Sequence, residues 1–136
     1  MTMHNLASML RNKGDIAGAE QTLRDTLALR RKIYPEAHPQ TALTLHNLGT
    51  LLRDQLQYTE AEACLREALA IRLKTLPIDH SHTGRVRIEL GRVLLAKKAY
   101  ADAQAELSEG LRIAQKTADK TYIAHALDGL GDLQLA

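Results

Sequence analysis

One pattern recurs along this chain at a fixed spacing of 42 residues, and it restricts the possible folds more than any other feature. His4, Asn5 and Leu6 return as His46, Asn47 and Leu48, and Ala19, Leu23, Arg24, Leu27 and Arg30 return as Ala61, Leu65, Arg66, Leu69 and Arg72. A third copy follows, with Leu48, Gly49 and Leu52 matched by Leu90, Gly91 and Leu94, and Tyr58, Ala61 and Leu65 by Tyr100, Ala103 and Leu107. A period of this length implies a solenoid, in which each unit buries its apolar face only against its neighbours.

Within a repeat the apolar residues fall at helical spacing, as in Leu45, Leu48, Leu51 and Leu52 and then Leu65, Ala68, Leu69 and Ile71. Strand alternation is absent. The first helix of each pair is expected to stop near Gly14, Leu56 and Lys98, where a short turn leads into the second helix and makes the two antiparallel. Asp15 has the chemistry of an N-cap. Between repeats, Pro35 and Pro77 end one helix, and Pro39 or Ser81 starts the next. The expectation is about seven helices, over residues 1–13, 16–33, 39–55, 58–75, 81–97, 100–116 and 120–134. They group as repeats over about 1–38, 39–80 and 81–119, plus a terminal half-repeat helix at 120–136, in a single array. Both ends read as worn caps or as boundaries within a longer array.

Hydrophobic residues make up 45% of the chain, yet its four aromatics are all Tyr, so the core must be built from Leu, Ile, Val and Ala. A net charge of +2 is too small to argue for nucleic-acid binding unless the charge gathers on one face. The basic clusters Arg30-Arg31-Lys32 and Arg72-x-Lys74 sit where cations suit a helix C-terminus, and no aromatic residues interleave with them for stacking on bases. The lone Cys64 excludes an internal disulfide and reads as a small packing residue. No basic-then-apolar leader and no membrane-length apolar run occurs, which makes the cytoplasm the expected location.

The combination Leu48-Gly49-x-x-Leu52 followed by Ala61-x-x-x-Leu65 resembles the tetratricopeptide repeat (TPR), with Leu at positions where that family carries aromatics. The segments LeuHisAsnLeuGly (45–49), TyrThrGluAlaGlu (58–62), AlaLeuAlaIleArg (68–72) and HisProGlnThrAla (38–42) are similar to the longer, kinesin-light-chain type of repeat. The resemblance weakens in the third repeat, where Arg87-Ile88-Glu89 replaces the LeuHisAsn signature. It implies an all-α, right-handed superhelical solenoid of antiparallel helix pairs. Gly49, Gly91 and Ala7 would then allow close helix approach, Ala19, Ala61 and Ala103 would fill the same contact from the other side, and Tyr58 and Tyr100 would plug the turns.

The resemblance also implies a function: a non-enzymatic module that holds a peptide or partner protein in a concave groove lined by the first helix of each repeat. Carried onto this chain, the groove residues are His4, Asn5, Ser8 and Arg11, then His46, Asn47, Thr50 and Arg53, then Arg85, Glu89 and Arg92, then Asp128 and Asp132. An Asn amide both donates to and accepts from an extended peptide backbone. The ladder of Arg11, Arg53 and Arg92 favours acidic partners through bidentate contacts, unless Arg92 and Asp132, at equivalent places in successive repeats, neutralise each other. The family's clamp for C-terminal carboxylates is not expected, because only Asn47 and Arg85 fit it and Glu89 opposes it. The alternative function is self-assembly, a homodimer formed through Leu130, Leu133 and Leu135 on the last helix.

Catalysis is not expected, since the chain has no phosphate loop, nucleophile elbow or carboxylate pair. No cofactor or metal is expected either. His80-x-His82 and the other linker histidines lack further convergent ligands and read as packing or capping groups. The expected setting is a signalling or scaffold protein larger than this chain.

Overall fold

The computed structural model describes residues 14–34 and 37–135, without the side chain of Leu135. The helix expected over 1–13, with His4, Asn5, Ala7, Ser8 and Arg11, lies outside the described residues, as does Pro35. Six helices are described: α1 (Ile16–Ile33), α2 (Pro39–Asp54), α3 (Tyr58–Thr75), α4 (Ser81–Ala96), α5 (Tyr100–Lys116) and α6 (Lys120–Leu135). Each bound agrees with the sequence expectation to within one residue, and no strand occurs among the described residues.

Local chemistry sets these boundaries. The Asp15 carboxylate accepts a hydrogen bond from the Gly18 N–H at 2.9 Å and caps α1. Two histidines do the same at the linkers, where Nδ1 of His38 accepts from the Gln40 N–H and Nδ1 of His80 accepts from the His82 N–H, each at 3.1 Å. Both linker histidines are therefore capping groups, as their positions suggested. Helices α2, α4 and α5 end alike. The Gln57 N–H reaches back to the Leu52 carbonyl, Ala99 to Leu94, and Asp119 to Ala114, each at 2.9 Å. This closure needs a left-handed residue, and Leu56, Lys98 and Ala118 take φ of 65°, 66° and 56°. Gly14, 42 residues before Leu56, has φ 84°.

The chain forms two compact units, Met1–Ile71 and Arg72–Ala136. In the first, Leu45, Leu48, Leu51, Leu52, Ala61, Leu65 and Ala68 are fully buried, as their helical spacing predicted. The close contact of α2 with α3 centres on Gly49: a Cβ there would lie 2.7 Å from Leu65 Cγ and 3.4 Å from the Ala61 carbonyl oxygen. The small residue thus receives the leucine one turn beyond Ala61, while Ala61 lets the backbones approach. Arg24 and Arg31 on α1 reach Glu60 and Glu67 on α3 at 2.7 and 2.9 Å, one ion pair per two turns along the seam.

In the second unit α4 and α5 run antiparallel through three glycines. A Cβ on Gly91 would stand 2.6 Å from Leu107 Cγ, one on Gly84 2.6 Å from Ile113 Cγ2, and one on Gly110 would collide with Ile88 Cγ1. Gly84 and Gly110 answer each other across the pair, a role that the 42-residue comparison did not reveal. Helix α6 then covers the cluster of Ile88, Leu107, Ala114 and Ala126 with Tyr122, Ile123, Leu130 and Leu133. Leu130 and Leu133, expected as uncovered, are thus partly buried against α4 and α5, and Leu127 of α6 is 52% exposed. Tyr100 is exposed rather than plugging a turn.

Candidate interaction surface

In the second unit, Arg85, Glu89 and Arg92 follow one another at helical spacing on α4. Nε of Arg85 donates to the Asp119 carboxylate at 2.7 Å, and its guanidinium carbon lies 5.1 Å from the centre of the Tyr122 ring. The Tyr122 and His125 rings stack at 5.1 Å, and Nη1 of Arg92 meets Nδ1 of His125 at 2.6 Å. Arginine has only donors, so His125 Nδ1 is the acceptor there. Cation, aromatic ring, imidazole and cation therefore form one continuous strip between α4 and α6. The strip opens at one end on a 390 Å³ recess lined by Ser81, Arg85, Thr117, Ala118, Asp119, Lys120 and Thr121. With two cations, three hydroxyls and one carboxylate already engaged by Arg85, this recess suits an acidic or hydroxyl-bearing group.

The strip departs from the sequence expectation in three ways. Arg92 pairs with Glu89, at 3.2 Å, and with His125, not with Asp132. Glu89, expected on the open surface, is 2% exposed and lies beside Arg92 on α4. Tyr122 and His125 were missed, although their spacing of three residues on the last helix was the available signal.

In the first unit, His46, Asn47, Thr50 and Arg53 are all partly buried on α2. The Thr50 hydroxyl donates to the His46 carbonyl at 3.0 Å, so only its lone pairs remain for a ligand. Arg53 lies 3.1 Å from the Asp54 carboxylate, and only 16% of its side chain is exposed, so it is less available than the sequence suggested. The Asn47 amide is different. It has no hydrogen-bond partner among the described residues, so its donors and acceptor remain available.

Other groups singled out in the sequence are buried or paired. Cys64 is buried, and that burial, reinforced by the Glu60 carboxylate, pushes its thiol up to about 11, so the nucleophilic thiolate is scarce at neutral pH. Arg31 pairs with Glu67, and Arg30 lies 5.5 Å from the Tyr34 ring centre. Arg72, read as a cation at a helix end, is 5% exposed, and burial lowers its pKa. Among the described residues no three His, Cys, Asp or Glu side chains converge as metal ligands, and no helix is long and apolar enough to cross a membrane.

Antiparallel helix pairs locked by glycine and leucine, with polar residues left open on the first helix, define a helical-repeat protein. The sequence model of the tetratricopeptide repeat family matches residues 1–74, and the chain belongs to that family. It is also similar to the crystal structure of a kinesin-light-chain-like protein with nearly identical TPR-like repeats from Podosopora anserina, at 26% identity and a TM-score of 0.80 over 97% of this chain and 67% of that one. A point variant of that protein gives the same identity and score over 66% of its length. BtubC (BKLC) from P. vanneervenii matches at 19% identity and a TM-score of 0.82, over 97% of this chain and 56% of that one, and shares the fold. The chain thus spans about two thirds or less of the structures it resembles. No curated protein sequence matches it. The repeats are of the kinesin-light-chain type, a fold that generally mediates protein–protein interaction and is typically non-enzymatic.

Proposed function

We propose that the chain binds an extended peptide segment of a partner protein through the open polar face of the first-position helix α2, as part of a signalling or scaffold protein in the cytoplasm. The single observation that carries this reading is the Asn47 amide, partly exposed and without a partner among the described residues. The amide is open to water, which a peptide backbone can replace with one donor and one acceptor per residue. Within the second unit, Arg85 of α4 and Lys120 of α6 line the 390 Å³ recess and favour an acidic side chain as a separate contact. By family analogy the first-repeat residues His4, Asn5, Ser8 and Arg11 contribute to the same binding.

The test is a random peptide array probed with the purified chain, followed by titration of the selected peptides at low and physiological salt. Asn47→Ala should weaken binding about tenfold, the scale of one lost hydrogen-bonded contact with its partner left unpaired, and Arg85→Glu should remove the preference for acidic peptides. Both variants should keep the parent's helicity. Affinity unchanged in both variants would refute the reading.

A further inference from the structure

Among the described residues, Arg72 is the arginine whose guanidinium has no acceptor. Eight others lie within 3.2 Å of a carboxylate, and Arg30 donates to the Tyr34 hydroxyl at 3.4 Å. Arg72 is 5% exposed, its Nε is sealed from water with no hydrogen-bond partner, and burial lowers its pKa with no carboxylate to oppose the shift. A guanidinium keeps its proton near neutral pH, so Arg72 cannot escape this burial by becoming neutral. A buried charge without a partner is among the costliest arrangements in a fold, and it calls for an acceptor.

The other repeats show what is missing. The guanidinium of Arg30, 42 residues before Arg72, lies 5.5 Å from the centre of the Tyr34 ring, which stacks on His38 at 3.8 Å. In the second repeat the histidine is kept as His80, but the tyrosine is replaced by Leu76. In the third repeat the arginine itself is replaced by Ala114. The first repeat thus partners its cation, the third dispenses with it, and the second keeps it without the partner. Positive charge also gathers beside it: desolvation, followed by the charges of Arg72, His80 and Arg85, holds the His82 imidazole below its ordinary pKa. Thr83, the next residue in the first turn of α4, is 0% exposed, and its hydroxyl has no partner either. The acid of the intervening linker, Asp79, is already held by Arg112 and Lys116.

We infer that Arg72 anchors an anion site at the junction of α3 and α4, and that its ligand is one small oxyanion, a phosphate or carboxylate group, gripped by the paired N–H donors of the guanidinium. The positive N-terminal end of α4 favours the same sign of charge. The size of the ligand follows from burial, since a side chain only 5% exposed admits a single small group.

The test follows the Arg72 Nε–H group by nitrogen-edited NMR, with its resonance assigned by its loss in Arg72→Lys. Sodium phosphate and, separately, sodium acetate are titrated into the full chain at constant ionic strength, with chloride as the reference. The Nε–H resonance should shift saturably with phosphate or acetate and stay put in chloride. Whichever anion saturates at the lower concentration names the source of the oxyanion, a phosphoryl group or a side-chain carboxylate. Thermal unfolding supplies the second readout. In chloride, Arg72→Met should melt at or above the temperature of the parent, because it removes an unpaired buried charge while keeping much of the bulk. With saturating anion the parent should gain several degrees more than the variant does. A resonance indifferent to both anions would overturn the inference. So would an Arg72→Met chain that melts below the parent by the same margin with and without the anion, the mark of an arginine that only holds the fold. Should that variant fail to fold, the NMR titration of the parent decides alone. Asn47→Ala should leave the Arg72 shift unchanged, so loss of the Asn47-dependent peptide binding and loss of the anion site are separate results.

Discussion

Replacing a mid-helix glycine by alanine should act in opposite directions at Gly91 and Gly131. In a helix interior alanine is favoured over glycine by about 1 kcal/mol, so with free space, as at Gly131, where a Cβ would meet nothing within 4 Å, the substitution stabilises. At Gly91 there is no free space. The new methyl would stand 2.6 Å from Leu107 Cγ, 2.9 Å from its Cδ2 and 3.2 Å from its backbone nitrogen. Cγ is a branch point rather than the flexible tip of a side chain, and Leu107 is fully buried, so it has little room to retreat. The methyl must therefore push α4 and α5 apart or strain Leu107, an overpacking cost of about 1–3 kcal/mol, which we place at the upper end because the neighbour is enclosed in the core. Set against the propensity gain, Gly91→Ala should be destabilising by about 1–2 kcal/mol, and Gly131→Ala stabilising by about 0.5–1 kcal/mol. For a chain of 136 residues this corresponds to melting temperatures lower by several degrees in the first variant and higher by a few degrees in the second. Both are read from thermal and urea unfolding followed by circular dichroism at 222 nm. A coupled check is the double variant Gly91→Ala with Leu107→Ala. Leu107→Ala alone should cost about 2–5 kcal/mol, and the added methyl should now partly fill the cavity instead of clashing, so the double variant should lose less than the sum of the two. A Gly91→Ala chain at least as stable as the parent, or strict additivity in the double variant, would refute the packing argument.

Two further outcomes follow from particular side chains. The Arg112 guanidinium and the Lys116 ammonium, both 2.6 Å from Asp79, hold its carboxyl down to about 2. Because the folded value lies below the unfolded one, this contribution is fully present above about pH 4 and is lost as the pH falls toward 2; Asp79→Asn should therefore flatten the acid limb of a stability–pH curve, and an unchanged acid limb would show that the two ion pairs contribute nothing. Lys98 occupies the left-handed position that closes α4, with φ 66°, where a side chain costs about 1 kcal/mol relative to glycine. Lys98→Gly should thus raise stability by up to about 1 kcal/mol in the same unfolding assay, less what the more flexible unfolded chain takes back, and a clear loss of stability would show that Lys98 makes contacts worth more than the strain.

How much of this was legible in the sequence depends on the distance over which each feature is determined. Helix boundaries were readable because they rest on residues within one turn: Asp15 as a cap, Pro39 at the first position of α2, and the stop at Gly14 that recurs at Leu56 and Lys98 even without a glycine. The core was readable because period and burial are tied by helix geometry, so Leu45, Leu48, Leu51 and Leu52 had only one face on which to pack. The interaction surface was less readable, since it depends on which side chains meet across helices about 33 residues apart, as Arg92 and His125 do. Repeat equivalence pointed to Asp132 as the partner of Arg92, but equivalence places backbones, whereas the choice among side chains within reach of one guanidinium is made by rotamer and burial. Arg72 shows the same limit from inside a repeat. Its spacing fits a cation at the end of a helix, yet it is buried, and its lowered pKa records the desolvation that no periodic pattern in the sequence encodes. The open notch at Gly131 lay between these cases. The recurrence of Leu-Gly announced a lock, and only the position of Leu127, exposed where Leu45 is buried, shows that this third lock is open among the described residues.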